Sequence, residues 1–166
     1  MSAAVAFSAP AFAPLPADGR QSARALSVQR GVRRLFAELG SVTIPEFGLA
    51  NGRRADVIAL AACGRLTIVE IKSSVADFRA DRKWPDYRDY CDRFFFAIPP
   101  DLAPEIIPQE AGLMVADAFG GAVLREAGEH PLSGARRKAV TLRFAHSAAR
   151  LLHALADPGA IREGAL

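Results

Sequence analysis

The chain has 166 residues, 51% of them apolar and 23% charged. These are globular proportions that exclude a fibrous or wholly disordered protein, and the length suits one domain. Twenty-one basic against 18 acidic residues leave +3, which permits an anionic partner without demanding one. No apolar run approaches the ~18 residues of a membrane span, so no membrane partner is expected. Cys63 and Cys91 form no CxxC pair and read as two buried free thiols in a reducing cytosol, which predicts a cytoplasmic protein.

The first 20 residues contain AAVAFSAPAFA, which has the look of a secretory core but lacks a basic flank and is broken by Pro10, Pro14 and Pro16. They read as a disordered Ala/Pro tail, followed by one domain over 21–157 and a flexible end over 158–166. Between Ser22 and Leu39, Val28, Val32, Leu35, Phe36 and Leu39 recur at helical spacing, and Gly40 stands where a helix commonly caps. Strands are expected over 42–49, 55–60 and 66–72. Pro45 argues for an edge or a bend in the first, and Asn51-Gly52 turns into the second. The third carries apolar residues at both parities, as a strand covered on two faces does.

Ser73 and Ser74 open a helical stretch, with Ser74 and Asp77 spaced as a capping pair. Pro85 divides it into pieces over 75–84 and 85–92. Phe94–Ile98 reads as a buried strand, and a proline-punctuated loop runs to Gly112. Segments 113–116 and 122–125 form a hairpin around Gly120-Gly121. A last helix over 135–156 carries the stripe Val140, Phe144, Ala148, Leu151 and Leu155. The order αβββαβ, then a hairpin and a helix, predicts an α/β fold with a central mixed sheet flanked by helices.

Asp56 falls on the second strand, and Glu70 and Lys72 fall two apart on the third, hence on one face. Charges in so apolar a strand are costly unless paired or bound to a metal. A tight turn can bring Asp56 beside Glu70, and two carboxylates gripping one hard cation suit Mg²⁺ or Mn²⁺. A lysine there can orient water or steady charge on a phosphoryl oxygen. The spacing alone favours a structural ion pair of Lys72 with either acid, and it is the order of elements that shifts the balance toward a metal site.

The order of elements, with Ala55-Asp56 and Glu70-Ile71-Lys72, resembles the PD-(D/E)XK nuclease superfamily. More narrowly, Gly52-Arg-Arg-Ala-Asp56, Glu70-Ile-Lys-Ser-Ser74, Asp77-Phe-Arg79 and the run Asp81–Asp92 are similar to the MmcB-type DNA-repair proteins of bacteria. The likeness spans about 22–156. It implies a restriction-endonuclease-like core in which Asp56, Glu70 and the Ile71 carbonyl ligate Mg²⁺ and Lys72 serves the water nucleophile. The implied reaction is phosphodiester hydrolysis in DNA during repair.

Two departures stand out. Ala55 replaces a frequent proline, and Gln29 stands in the first helix where many members carry a glutamate; Glu38 lies nearer the helix end. Glu46, at the parity of Val42 and Ile44, is expected either to supply the missing carboxylate, with Gln29 hydrogen-bonded to it, or to be a solvated turn residue. Arg53, Arg54, Arg79 and Lys83 are candidates for phosphates, and Trp84 either stacks on a base or belongs to the core. Arg136-Arg137-Lys138 form a second basic cluster that solubility alone would explain. A DNA-binding or scaffolding factor of the same fold without catalysis, and an RNA-processing nuclease, are the alternatives. A homodimer and other repair proteins stand as candidate partners, although no dimer face is legible.

Overall fold

A computed structural model describes residues 22–80 and 84–157. The expected tail over 1–20, the end over 158–166, Lys83 and the side chain of Arg79 lie outside the described residues. Ser22 Oγ accepts from the Ala25 N–H at 3.1 Å and caps helix α1 (Ala23–Glu38). Val28, Val32 and Phe36 form its buried stripe. Gly40 has φ +72°, a left-handed turn that only glycine adopts without cost, and the chain then enters the sheet.

Six strands follow in simple spatial order: β1 (Ser41–Gly48), β2 (Arg54–Ala61), β3 (Leu66–Ile71), β4 (Arg93–Ile98), β5 (Gly112–Ala116) and β6 (Gly121–Arg125). The pairs β1–β2, β2–β3 and β5–β6 are antiparallel; β3–β4 and β4–β5 are parallel. Every residue of β3 is buried, as its two-sided apolar pattern requires. Proline-bearing β1 takes an edge, where a missing N–H costs no ladder bond.

Two cores cover the sheet. On one face α1 packs Val28, Val32 and Phe36 against Val57, Val69 and Phe95. On the other, Tyr87 and Tyr90 of a 3₁₀ helix (Trp84–Tyr90) and Val140 and Phe144 of the last helix meet the strands.

Several expectations need correction. The pieces expected around Pro85 resolve as a six-residue helix α2 (Val75–Ala80) and the 3₁₀ helix, and a further 3₁₀ turn (Pro104–Ile106) interrupts the loop before β5. Cys63 is exposed in the β2–β3 turn; only Cys91 is buried. In helix α3 (Gly134–Ala156) the stripe is buried only at Val140 and Phe144, and Ala148 and Leu155 are exposed. Length is the reason. Twenty-three helical residues span roughly 35 Å, whereas the eight-residue strand β1 beneath it spans about 27 Å, so α3 outruns the strand that it covers.

Two tertiary locks join the layers. Asp92, 5% exposed, accepts from Leu66 N at 2.8 Å, Leu132 N at 3.0 Å, and both terminal nitrogens of Arg137 at 2.7 and 2.6 Å. Burial alone would raise this carboxyl, but the Arg137 and backbone hydrogen bonds outweigh it and hold Asp92 below the usual carboxylate range. The second lock is Gly31, where a Cβ would stand 2.1 Å from the Asp117 carbonyl oxygen and 2.4 Å from that of Gly120. Both obstacles are backbone. Gly31→Ala is therefore expected to destabilise the protein by about 1–3 kcal/mol, read as a lowered urea midpoint at unchanged slope.

Candidate active site

The pleat is broken in β1 and β2 at one level. Ile44 and Phe47, three residues apart, lie in the same core, and so do Ala55 and Ile58. Regular alternation would put the members of each pair on opposite faces. The ladder stays in register, with Pro45 opposite Val57 and Phe47 opposite Ala55. Both strands therefore shift half a pleat between these pairs, at Glu46 and Asp56. Glu46 has φ +52°, the one left-handed non-glycine residue among those described. A glutamate held there costs on the order of 1–3 kcal/mol, and such residues concentrate at functional sites.

That turn aims Glu46 at α1. Gln29 Nε2, on a buried residue, donates to Glu46 Oε1 and to the Asp56 carbonyl oxygen, each at 3.3 Å. Arg54 Nε pairs with Glu46 Oε2 at 2.7 Å. The expected parity of Glu46 with Ile44 is thus wrong: Ile44 lies in the opposite core, because the left-handed residue resets the alternation. Glu38 is exposed at the far end of α1.

The β2–β3 ladder reaches Val57–Val69 and is then continued by side chains. Asp56 N donates to Glu70 Oε1 at 3.2 Å, and Ile71 N donates to Asp56 Oδ2 at 2.7 Å. Each carboxylate engages a backbone N–H of the other's strand. This fixes Asp56 and Glu70 side by side at the rim. Lys72 follows, 5% exposed, its N–H bonded to the Ala97 carbonyl at 2.9 Å and its Nζ 5.8 Å from the Phe96 ring centre.

Burial, opposed by the Ile71 N–H bond, combines with the negative charge of Glu46 and Asp77 to push the Asp56 carboxyl up to about 6, against the pull of Lys72. Asp77 is a neighbour that sequence reasoning treats only as a helix cap. It does cap, since its N–H donates to Ser74 Oγ and its Oδ2 accepts from Ser73 N, both at 3.1 Å. Those same bonds hold its charge near Asp56. The Ser-x-x-Asp spacing was the available signal, but nothing local reveals that Asp77 comes within reach of Asp56 on β2.

Of the other candidates, Arg54 joins the site through Glu46 and the rest are engaged away from it. Arg53 pairs with Asp86, and Arg54 with Glu46. Trp84 stacks on Phe94 at 5.5 Å and meets Phe96 edge-on at 5.9 Å, so its ring belongs to the core side of the 3₁₀ helix. Arg137 is taken by Asp92, and Arg136 lies over the Tyr90 ring.

The donors at this rim, two carboxylates with Ile71 ending β3 beside them, are hard oxygens of the kind that Mg²⁺ or Mn²⁺ takes. Among the described residues no three acidic, histidine or cysteine side chains form a metal-holding group by themselves. Mg²⁺ is commonly held by one or two carboxylates, with substrate oxygens and water completing its shell, so the pair fits.

The raised Asp56 makes folding pH-dependent. The folded carboxyl keeps its proton up to about pH 6, whereas an unfolded one releases it near ~3.9. This stabilisation is complete below about pH 4 and lost as pH rises through 6. In chelator-containing buffer, urea unfolding should show the wild type losing about 1–3 kcal/mol between pH 4.5 and 7 relative to Asp56→Asn.

No helix among the described residues is long and apolar enough to cross a membrane. No functionally curated protein matches the chain. Among solved structures, a protein of unknown function from Silicibacter pomeroyi, SPO1766, is 41% identical, with a TM-score of 0.82 over 85% of this chain and 97% of its own. The family model described as DNA repair protein MmcB-like matches residues 13–159. With nearly its whole length matched, the chain belongs to the MmcB-like family of DNA repair proteins.

Proposed function

We propose that this protein is a metal-dependent deoxyribonuclease of DNA repair, with a restriction-endonuclease-like core of the PD-(D/E)XK kind. The observation that carries the reading is the reciprocal clasp of Asp56 and Glu70 with Lys72 beside it. A structural ion pair would need one acid for the one lysine. Here two carboxylates share one buried ammonium, and Glu46, partly offset by Arg54, and the exposed Asp77 add to the negative field at Asp56. The carboxylate beyond the one that Lys72 can neutralise is satisfied by a bound cation.

When bound, Mg²⁺ or Mn²⁺ would supply Lewis acidity toward the phosphate and a more acidic water. Asp56 and Glu70, with the Ile71 carbonyl, would hold it. Lys72, fixed by its backbone bond to Ala97 and by the Phe96 ring, would orient the attacking water and steady charge on a phosphoryl oxygen. Glu46, held by Gln29 and Arg54, would supply the negative charge that α1 lacks from beside the ion rather than as a ligand. Arg53, Arg54, Arg79 and Lys83 remain proposed DNA contacts, whereas Trp84, stacked on Phe94, belongs to the core. The Arg53–Asp86 pair is surface-exposed on its acid side, and such pairs are worth only about 0–1 kcal/mol, so a phosphate can replace the aspartate.

A second reading, a DNA-binding repair factor of the same fold that does not cut, is favoured by one observation: α1 brings a neutral carboxamide, Gln29, to the site. The test is hydrolysis of end-labelled single-stranded, gapped and duplex DNA with and without Mg²⁺ or Mn²⁺. Metal-dependent cleavage supports the nuclease. Metal-independent binding with no cleavage in either ion favours the second reading.

A further inference from the structure

The hairpin between β5 and β6 carries Phe119 at 83% exposure, the most exposed large apolar side chain among the described residues. A lone surface aromatic is ordinary; one on a clamped tip is not. Asp117 Oδ1 accepts from Phe119 N at 2.7 Å and Gly120 N at 3.1 Å, and Asp117 N donates to the Gly120 carbonyl at 3.0 Å. Arg34 of α1 donates to the Ala118 and Phe119 carbonyls at 2.9 and 3.1 Å. The bare backbone of Gly31 supports the turn from below. The ring is thus presented to solvent on a rigid base, which lowers the entropy cost of binding something flat against it.

Its location gives the occupant. Strands β3, β4 and β5 are parallel, so the tip after Ala116 stands on the same rim as Glu70 and Lys72. Two strand spacings, roughly 10 Å, separate β5 from β3, so one nucleic-acid strand can run along this rim from the carboxylates to the hairpin tip. The adjoining helix α1 carries Arg24, Arg30, Arg33 and Arg34 against the single acid Glu38; Arg24 pairs with Asp101 and Arg33 donates to Thr43, which leaves Arg30 and the Arg34 that grips the tip as the basic groups nearest it in the chain. A flat apolar face beside a basic helix matches a nucleic-acid strand with an unstacked base.

We infer that Phe119 is a stacking residue that holds an unpaired nucleobase of a strand whose phosphate is bound along the same rim at Asp56, Glu70 and Lys72, so that single-stranded or gapped DNA is selected over intact duplex. This rests on the reading of the rim as a DNA-binding edge.

The test is fluorescence anisotropy with the full chain in EDTA, using a labelled 30-nucleotide strand free, in a gapped duplex and fully paired. Phe119→Ala should weaken binding of the free and gapped strands about tenfold and leave intact duplex nearly unchanged, while Phe119→Trp retains wild-type affinity. Thermal unfolding of both variants should match wild type, because the ring contacts solvent. Affinities of Phe119→Ala within twofold of wild type on all three DNAs would overturn the inference, as would wild-type protein that binds none of them. The nuclease reading fails separately: if metal-dependent cleavage is absent or survives Glu70→Gln, the anisotropy result still decides the role of Phe119.

Discussion

Asp56→Asn and Glu70→Gln are each expected to reduce Mg²⁺-dependent DNA cleavage by about 10³-fold or more, to the limit of detection, and to abolish Mn²⁺ binding in calorimetry. The reciprocal clasp predicts that the two fail together. Each carboxylate accepts from a backbone N–H of the other's strand, so neutralising one weakens an acceptor, removes a metal-binding charge and disturbs the placement of its partner. Lys72→Met, assayed at pH 8 where Asp56 is ionised, is expected to lower cleavage by about 10²–10³-fold while Mn²⁺ affinity persists. Asp56→Asn also controls for misfolding. It removes a buried charge that the fold disfavours, so its unfolding midpoint at pH 7 should equal or exceed that of wild type. Full cleavage by Asp56→Asn would sink the nuclease.

The largest expected effect on stability lies at the opposite end of the sheet. Asp92→Ala should cost about 3–5 kcal/mol, because a buried carboxylate is withdrawn from a guanidinium and two backbone donors at once. At this chain length that corresponds to a thermal midpoint lower by roughly 10–15 °C. Asp92 ties β3, the loop before α3 and α3 itself, so the loss should appear as one cooperative transition of reduced midpoint. Acid reproduces part of it. A carboxyl held below its unfolded value contributes stability above about pH 4 and surrenders it as pH falls further. This window lies below the one set by Asp56, so a pH series of urea unfolding separates them. A decrease under 1 kcal/mol for Asp92→Ala would show that Leu66 N, Leu132 N and Arg137 find other partners.

Element type and order were legible because each depends on neighbours in the chain. The stripe Val28–Val32–Phe36, the two-sided β3 and the Asn51-Gly52 turn are local patterns with local causes. Helix α3 shows where such patterns stop: its stripe continues past Phe144, but periodicity carries no information on how much sheet lies beneath it.

For the candidate site, spacing alone put Glu70 and Lys72 on one strand and Asp56 on the next. The clasp between the two carboxylates needed the register of β2 against β3, which no local pattern encodes. Period-2 counting also misplaced Glu46, since a single left-handed residue reverses the alternation after it. Which acids carry charge together was likewise a matter of three-dimensional approach, with α1, β1 and α2 contributing Gln29, Glu46 and Asp77 to one rim. The amino-acid sequence by itself determined the elements and the residue types available for chemistry, because hydrophobic periodicity and turn preferences act over a few residues. Only the tertiary structure decided the half-pleat break, the shared field at Asp56 and the clamped Phe119, because each arises where segments far apart in the chain compete for the same backbone donors and the same space.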